Sequence, residues 1–190
     1  MFENAIRRMP RPQDVAMMIT QQLRETFHVA DLFAPGELRG VFTDLDRLVV
    51  GGVMPVKPVE LPNHKETGRA FFLERRELGA INVGGAGKVI ADGQTFALEN
   101  KDCVYLPMGT KSVSFTSDDA KTPAKFYLLS CPAHAPHPMR LMKSSEAAPV
   151  CWCDERPKGI RVEVRITVST PPTEPDAGAG ADSISCERDF

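Results

Sequence analysis

Four consecutive charges, Glu74-Arg75-Arg76-Glu77, are the first place in the chain where residue type and spacing suggest chemistry. On a strand, alternate side chains face opposite ways, so Glu74 and Arg76 share one face and Arg75 and Glu77 the other. Each face then carries one acid and one base. A guanidinium turned into a barrel can hold the carboxylate of a sugar acid through two parallel N–H bonds. The competing reading is an ion pair at the surface or at a subunit interface. Arg47, beside Asp46, poses the same choice. The candidate substrate-binding residues are therefore Arg47, Arg75 and Arg76.

Other residue types offer less. The four histidines are His28, His64, His134 and His137. His134 and His137 lie among Pro132, Pro136 and Pro138, so they cannot share a regular helix face. No carboxylate or third histidine accompanies them, which favours surface or interface packing over a metal, and no metal ligand is assigned. The five cysteines are odd in number and lack a framework spacing; they read as reduced thiols of a cytoplasmic protein. Cys151-x-Cys153 has no matching pair for a structural zinc site. Gly84-Gly85-Ala86-Gly87 is followed by a strand pattern and a turn, not by the helix a dinucleotide loop needs, so it reads as a tight β-turn. No Ser/His/Asp arrangement is legible, and no cysteine has an evident base partner.

The elements that must position these residues are mostly strands. Val15, Ile19, Leu23 and Phe27 recur at four-residue spacing and predict one N-terminal helix ending near His28. From Leu38 the pattern turns to β. Strand candidates are Leu38–Thr43, Arg47–Gly52, Phe71–Leu78, Ala80–Val83, Lys88–Ala91, Thr95–Leu98, Cys103–Leu106, Ser112–Thr116 and Ala124–Leu129. Asp92-Gly93 is a hairpin signal, and the three prolines between Val53 and Pro62 indicate an edge or loop. Short strands at regular spacing predict an all-β sandwich or barrel. Ile160–Val168 alternates like a strand, whereas 171–180, rich in Pro, Gly and Ala, has little to bury and is expected to be disordered. At 42% hydrophobic and 25% charged the composition is that of an ordinary globular protein. The net charge of -2 gives no reason to expect nucleic acid or an anionic membrane. No apolar run reaches the roughly 20 residues of a membrane helix, and no apolar stretch follows Arg7, Arg8 and Arg11 to make a secretory signal.

Several blocks together resemble one family. Asp46-Arg47-Leu48-Val49-Val50-Gly51-Gly52-Val53-Met54-Pro55 is similar to a D-R-x-x-V-G-G-x-M-P stretch of the 5-dehydro-4-deoxy-D-glucuronate isomerases, also called 4-deoxy-L-threo-5-hexosulose-uronate ketol-isomerases. Phe72-Leu73-Glu74-Arg75-Arg76-Glu77-Leu78-Gly79 resembles their F-L-E-R-R-E-L-G. Ile81 to Gly87 with Asp92-Gly93, and Pro123 to Tyr127 with Cys131 to His134, extend the likeness. It runs in order from about Pro12 to Val150.

The resemblance implies a two-part subunit of cupin-like halves, assembled as a homo-oligomer, hexameric in the family. It implies conversion of 5-dehydro-4-deoxy-D-glucuronate to 3-deoxy-D-glycero-2,5-hexodiulosonate, an aldose–ketose isomerisation in pectin and uronate breakdown. The family's zinc is held by histidines and a glutamate of the second cupin, in a His-x-His…Glu…His pattern for which this sequence offers no positions, since no histidine follows His137. The expected organisation is a flexible N-terminus at 1–11, a cupin-like domain at 12–150, and a tail at 151–190 that is unmatched, frameshifted or truncated, and largely disordered, with the second cupin absent. Three functional readings follow: the isomerase, an inactive truncated remnant, and a non-catalytic sugar-acid-binding cupin module. The 5-deoxy-glucuronate isomerases are a related alternative within the first. The expectation for 151–190 has a direct check in the DNA beyond codon 150. A shifted frame encoding a His-x-His half supports it; the absence of such a frame in any register contradicts it.

Overall fold

The computed structural model describes residues 2–147. Residues 1–145 form one compact unit, built almost wholly of β-strands. The strands are β1 (Phe2–Arg7), β2 (Leu38–Thr43), β3 (Val49–Val53), β4 (Val59–Glu60), β5 (Arg76–Asn82), β6 (Gly87–Ala91), β7 (Gln94–Leu98), β8 (Cys103–Leu106), β9 (Val113–Ser117), β10 (Phe126–Pro132) and β11 (Arg140–Met142). They make two sheets. A seven-stranded sheet runs β1-β2-β3-β10-β5-β8-β11, and a four-stranded sheet runs β4-β9-β6-β7. Every pairing is antiparallel except that of β1 with β2. The described residues form the expected all-β sandwich.

Alternation explains which residues face the core. Along β5, Arg76, Leu78, Ala80 and Asn82 are buried, while Glu77, Gly79 and Ile81 point the other way. Along β10, Phe126, Leu128 and Ser130 are the buried set. Phe115 of β9 meets Phe126 of β10 at 5.5 Å between ring centroids, joining the two sheets through the core. Both rings are fully buried; burial of a phenylalanine contributes about 2 kcal/mol.

The hairpin expected at Asp92-Gly93 is present. Both residues have positive φ, 46° and 84°, and Ala91 pairs with Gln94 across the turn. The glycine turn after β5 is organised by Asn82, whose side chain is buried and fully bonded. Its amide donates to the carbonyls of Gly85 (2.7 Å) and Leu98 (3.0 Å). Its oxygen accepts from the backbone N–H of Gly84 (3.0 Å) and Lys125 (3.2 Å). The Gly84-Gly85-Ala86-Gly87 segment is thus a turn locked by one side chain, as its reading as a β-turn requires.

Three expectations need correction. Residues 1–11 are not a featureless arm: Phe2–Arg7 is a strand, and the Phe2 ring is buried against Phe72 (5.5 Å, stacked) and Phe42 (5.4 Å, edge-on). Gly40 makes room for that ring, since a Cβ there would lie 2.6 Å from it. The single N-terminal helix is two pieces, α1 (Pro12–Val15) and α2 (Thr20–Phe27). Ile19 is extended between them, and its N–H donates to the Gln22 side chain. The apolar stripe has little to pack on: neither helix buries a residue, and Ile19 and Phe27 are exposed, so packing does little to hold a continuous helix together. Finally, Phe71–Leu78 is not one strand. Phe72 and Leu73 are both buried, which an alternating strand does not permit; the chain turns there, with Glu74 N–H bonded to the Phe71 carbonyl, and β5 begins only at Arg76. The expected strand at Ile160–Val168, the Cys151-x-Cys153 pair and the disordered stretch lie outside the described residues.

Asn82→Ala leaves two half-buried N–H groups and two carbonyls without their partner. It should destabilise the domain by about 3 kcal/mol, read from urea unfolding. A loss below about 1 kcal/mol would contradict the locking role given to this side chain.

Candidate functional site

At one end of the seven-stranded sheet the C-terminal ends of β1, β2 and β10 meet the start of β5 around a cavity of about 360 Å³. Its floor carries Arg76, which is only 8% exposed. Pairing of Arg76 with Pro132 at the sheet end, and alternation along β5, turn this side chain inward. Its Nε donates to Ser130 Oγ (3.2 Å), and its Nη2 donates to the carbonyls of Ser130 (2.9 Å) and Arg47 (2.6 Å). The ring of Phe72 lies 6.0 Å from the guanidinium carbon. These partners are all neutral. Among the described residues no carboxylate pairs with Arg76. Burial, and the charge of Arg47, pull its pKa below the ordinary arginine value, opposed by Cys131; a guanidinium is basic enough to stay cationic in a protein. A buried cation without a counterion is unusual, and functional sites are where such groups concentrate.

Arg47 is placed by a strained turn. Asp46 and Arg47 both have positive φ, 47° and 53°, and Leu48 N–H closes the turn on the Leu45 carbonyl. Positive φ at both central positions is the signature of a type I′ turn, which favours Asn-Gly. The Asp92-Gly93 hairpin follows that preference; here an arginine stands where glycine is expected. The left-handed conformation costs an L-residue about 1–2 kcal/mol, and it presents both the Arg47 carbonyl to Arg76 and the exposed Arg47 side chain to the cavity. Arg75 is exposed and lines the same cavity; its carbonyl accepts from Ala133 N–H (3.1 Å). The structure therefore brings Arg47, Arg75 and Arg76 together.

The expected partition of Glu74 to Glu77 into two strand faces holds only for the last two. Glu74 lies in the turn before β5, where its carboxylate accepts from Ala70 N–H (2.8 Å). Glu77 faces the opposite side of the sheet. There it accepts from Tyr105 Oη (2.8 Å) and from Cys131 Sγ (3.3 Å). Burial and then the Glu77 carboxylate push the Cys131 thiol up to about 11, so it stays protonated at neutral pH.

Sequence reading missed Arg69, Glu66 and Thr67, which also line the cavity. They sit on a short 3-10 helix, Lys65–Thr67, and the residues after it. Asn63 secures this loop: its amide donates to the carbonyls of Arg69 (2.8 Å) and Ala70 (3.1 Å), and its oxygen accepts from Thr67 Oγ1 (2.9 Å). His64 anchors it by stacking on Phe42, 4.8 Å between rings. No periodic pattern in the sequence marks this loop. His134, read as a surface histidine, is exposed and also lines the cavity.

Comparison with known proteins gives this site its context. A family model described as the KduI/IolB family matches residues 30–156. The chain belongs to the KduI/IolB family. It is 44% identical over 139 residues to a 4-deoxy-L-threo-5-hexosulose-uronate ketol-isomerase of Halalkalibacterium halodurans, covering 73% of this chain and 50% of that protein. It is 47% identical over 137 residues to 4-deoxy-L-threo-5-hexosulose-uronate ketol-isomerase 2 of Rhizobium meliloti, covering 72% of this chain and 48% of the other. The chain thus spans about half the length of the curated relatives it matches. Among solved structures it is similar to an IolB-like protein of Salmonella typhimurium LT2, with a TM-score of 0.43 and 20% identity over 57% of this chain and 40% of that one. Every structural element that carries a cavity arginine lies within the stretch matched to the family. No helix among the described residues is long and apolar enough to cross a membrane.

The turn at Arg47 makes a test in which stability and binding separate. Arg47→Gly relieves the left-handed strain while leaving the carbonyl that Arg76 needs. Stability in urea should rise by about 1 kcal/mol, while affinity of the cavity for a carboxylate anion falls. Loss of stability would show that the Arg47 side chain, rather than its backbone, supports the fold.

Proposed function

We propose that this chain belongs to a 4-deoxy-L-threo-5-hexosulose-uronate ketol-isomerase and that its cavity holds the carboxylate of a keto-uronate. The observation that carries the reading is the buried Arg76 guanidinium, without a carboxylate partner among the described residues, at a cavity that Arg47 and Arg75 also line. With Nε and Nη2 engaged by Ser130 and Arg47, the Nη1 N–H groups of Arg76 are left to meet a carboxylate, and a desolvated floor strengthens such a bond. The 44–47% identity to ketol-isomerases over the same residues supports the substrate class. A cavity of about 360 Å³ is at the small end of ligand sites, the range of a single sugar acid.

The reaction is an aldose–ketose isomerisation, in which a base moves a proton beside a carbonyl while an electrophile polarises the oxygen. Zinc is the family's expected electrophile. Among the described residues no group of three His, Cys, Asp or Glu side chains comes together to hold a metal, so these residues do not fit that role and no step is assigned to them. Their contribution is binding and orientation. That same observation favours a second reading, a sugar-acid-binding half that does not itself turn substrate over. A cytoplasmic homo-oligomer with a small keto-uronate as partner is what the family likeness implies, and the net charge of -2 gives no reason to add nucleic acid or an anionic membrane.

The purified full chain should bind 5-dehydro-4-deoxy-D-glucuronate, and Arg76→Gln should weaken binding at least about tenfold with the circular-dichroism spectrum retained. Arg75→Ala, an exposed change that spares the core, should weaken it more modestly. Binding unaffected by either variant would contradict the cavity's role. Binding accompanied by arginine-dependent formation of the ketose product favours the isomerase; binding without turnover favours the recognition half.

A further inference from the structure

Among the described residues, Glu66 is the one carboxylate that lines the cavity. Its carboxylate oxygens have no hydrogen bond or ion pair among those residues. The neighbouring hydroxyl is already engaged: the Thr67 Oγ1 proton is shared by Asn63 Oδ1 (2.9 Å) and the His64 carbonyl (2.8 Å). Glu66 is also held in place. It is the middle residue of the 3-10 turn Lys65–Thr67. His64 Nδ1 accepts its backbone N–H (3.3 Å), and the left-handed Gly68 (φ 59°) closes the turn on the Lys65 carbonyl (3.0 Å). The His64 ring stacks on Phe42, itself a wall of the cavity. The carboxylate is thus an unengaged acceptor carried on a fixed turn.

The cavity has a polarity in depth. The Arg76 cation is buried at the floor, and Glu66 is exposed at the rim. A keto-uronate has a matching polarity along its length. Its carboxylate and keto group stand at one end, a methylene follows, and two adjacent hydroxyls come beyond it. With the carboxylate on Arg76, the hydroxyls are turned toward the rim. A carboxylate there accepts hydrogen bonds from hydroxyls and repels another carboxylate, which favours this seating over the reverse. Resting on the reading of this cavity as a keto-uronate site, we propose that Glu66 is a specificity-determining residue whose carboxylate accepts from the vicinal hydroxyls of the ligand. It selects hydroxylated 2-oxo acids over plain ones of the same length. A carboxylate that only offset the arginines would act on every monoanion alike.

Isothermal titration calorimetry on the full chain separates the two roles with a pair of six-carbon monoanionic 2-oxo acids. 2-Keto-3-deoxy-D-gluconate carries the vicinal hydroxyls, and 2-oxohexanoate carries none. Neither has the aldehyde that the isomerisation consumes, so binding is read without turnover. The hydroxylated acid should bind at least about tenfold more tightly, as hydrogen bonds to a charged acceptor provide. In Glu66→Ala, an exposed change that spares the core, that ratio should fall below about threefold. Affinity for 2-oxohexanoate should hold or rise, because a repelling charge is gone. A ratio near one in the unaltered chain overturns the inference and leaves the carboxylate site intact. A ratio kept in Glu66→Ala, whatever the two affinities do together, also overturns it, since Glu66 then does not read the hydroxyls. Failure of both acids to bind overturns the keto-uronate reading itself.

Discussion

The arrangement of this domain turns on a buried guanidinium that has no counterion among the described residues. Arg76 lies at the first position of β5, where register with β10 and strand alternation give it no outward choice. Bringing a cation out of water is expensive unless dipoles replace the lost hydration. Here the Ser130 hydroxyl, the Ser130 carbonyl and the Arg47 carbonyl do so. These three groups come from the end of β10 and from the β2–β3 turn. One side chain therefore ties together the strands whose ends form the cavity. The left-handed backbone at Arg47 follows from the same constraint, because that conformation delivers the carbonyl Arg76 needs.

Around this point the site is layered. The floor is rigid, built from residues within paired strands and braced by Phe72. The rim is exposed and comes from loops and turns. Precision resides in the first, and long-range attraction for an anion in the second. On the opposite face of β5, Glu77 accepts from Tyr105 and Cys131, away from the cavity. Arg76 and Glu77, neighbours in sequence, both rest on neutral partners, and strand alternation turns only the cation to the cavity.

Much of this was legible in the sequence, for reasons that differ by residue. The Asp92-Gly93 hairpin and the strands on either side follow from local turn chemistry and β-branched composition. Arg47, Arg75 and Arg76 were legible as candidates from residue type and from family likeness, and they do converge. That Arg76 is the buried one was not, because the break in the chain at Phe72-Leu73 sets the strand's phase, and two adjacent buried residues look like continuous strand in a sequence. β1 was invisible: only Phe2 and Ile6 in its six residues are large and apolar, and its parallel pairing at a sheet edge leaves no local signature. Arg69 was missed because its nearness to Arg76 is wholly tertiary, set by Asn63 bonds across a loop. The helix was over-read because a periodic stripe predicts a helix only where something packs on it.

The central claim is that the Arg76 guanidinium is a ligand contact and not merely a structural cation. Nitrogen-15 NMR of the arginine side-chain Nε–H groups tests it most directly, with Arg76 assigned by substitution with lysine. Saturating sugar acid should shift the Arg76 Nε–H resonance and slow its exchange with water, along with smaller shifts at Arg47 and Arg75. An Arg76 resonance unmoved by ligand, while the ligand demonstrably binds the chain, would contradict the account.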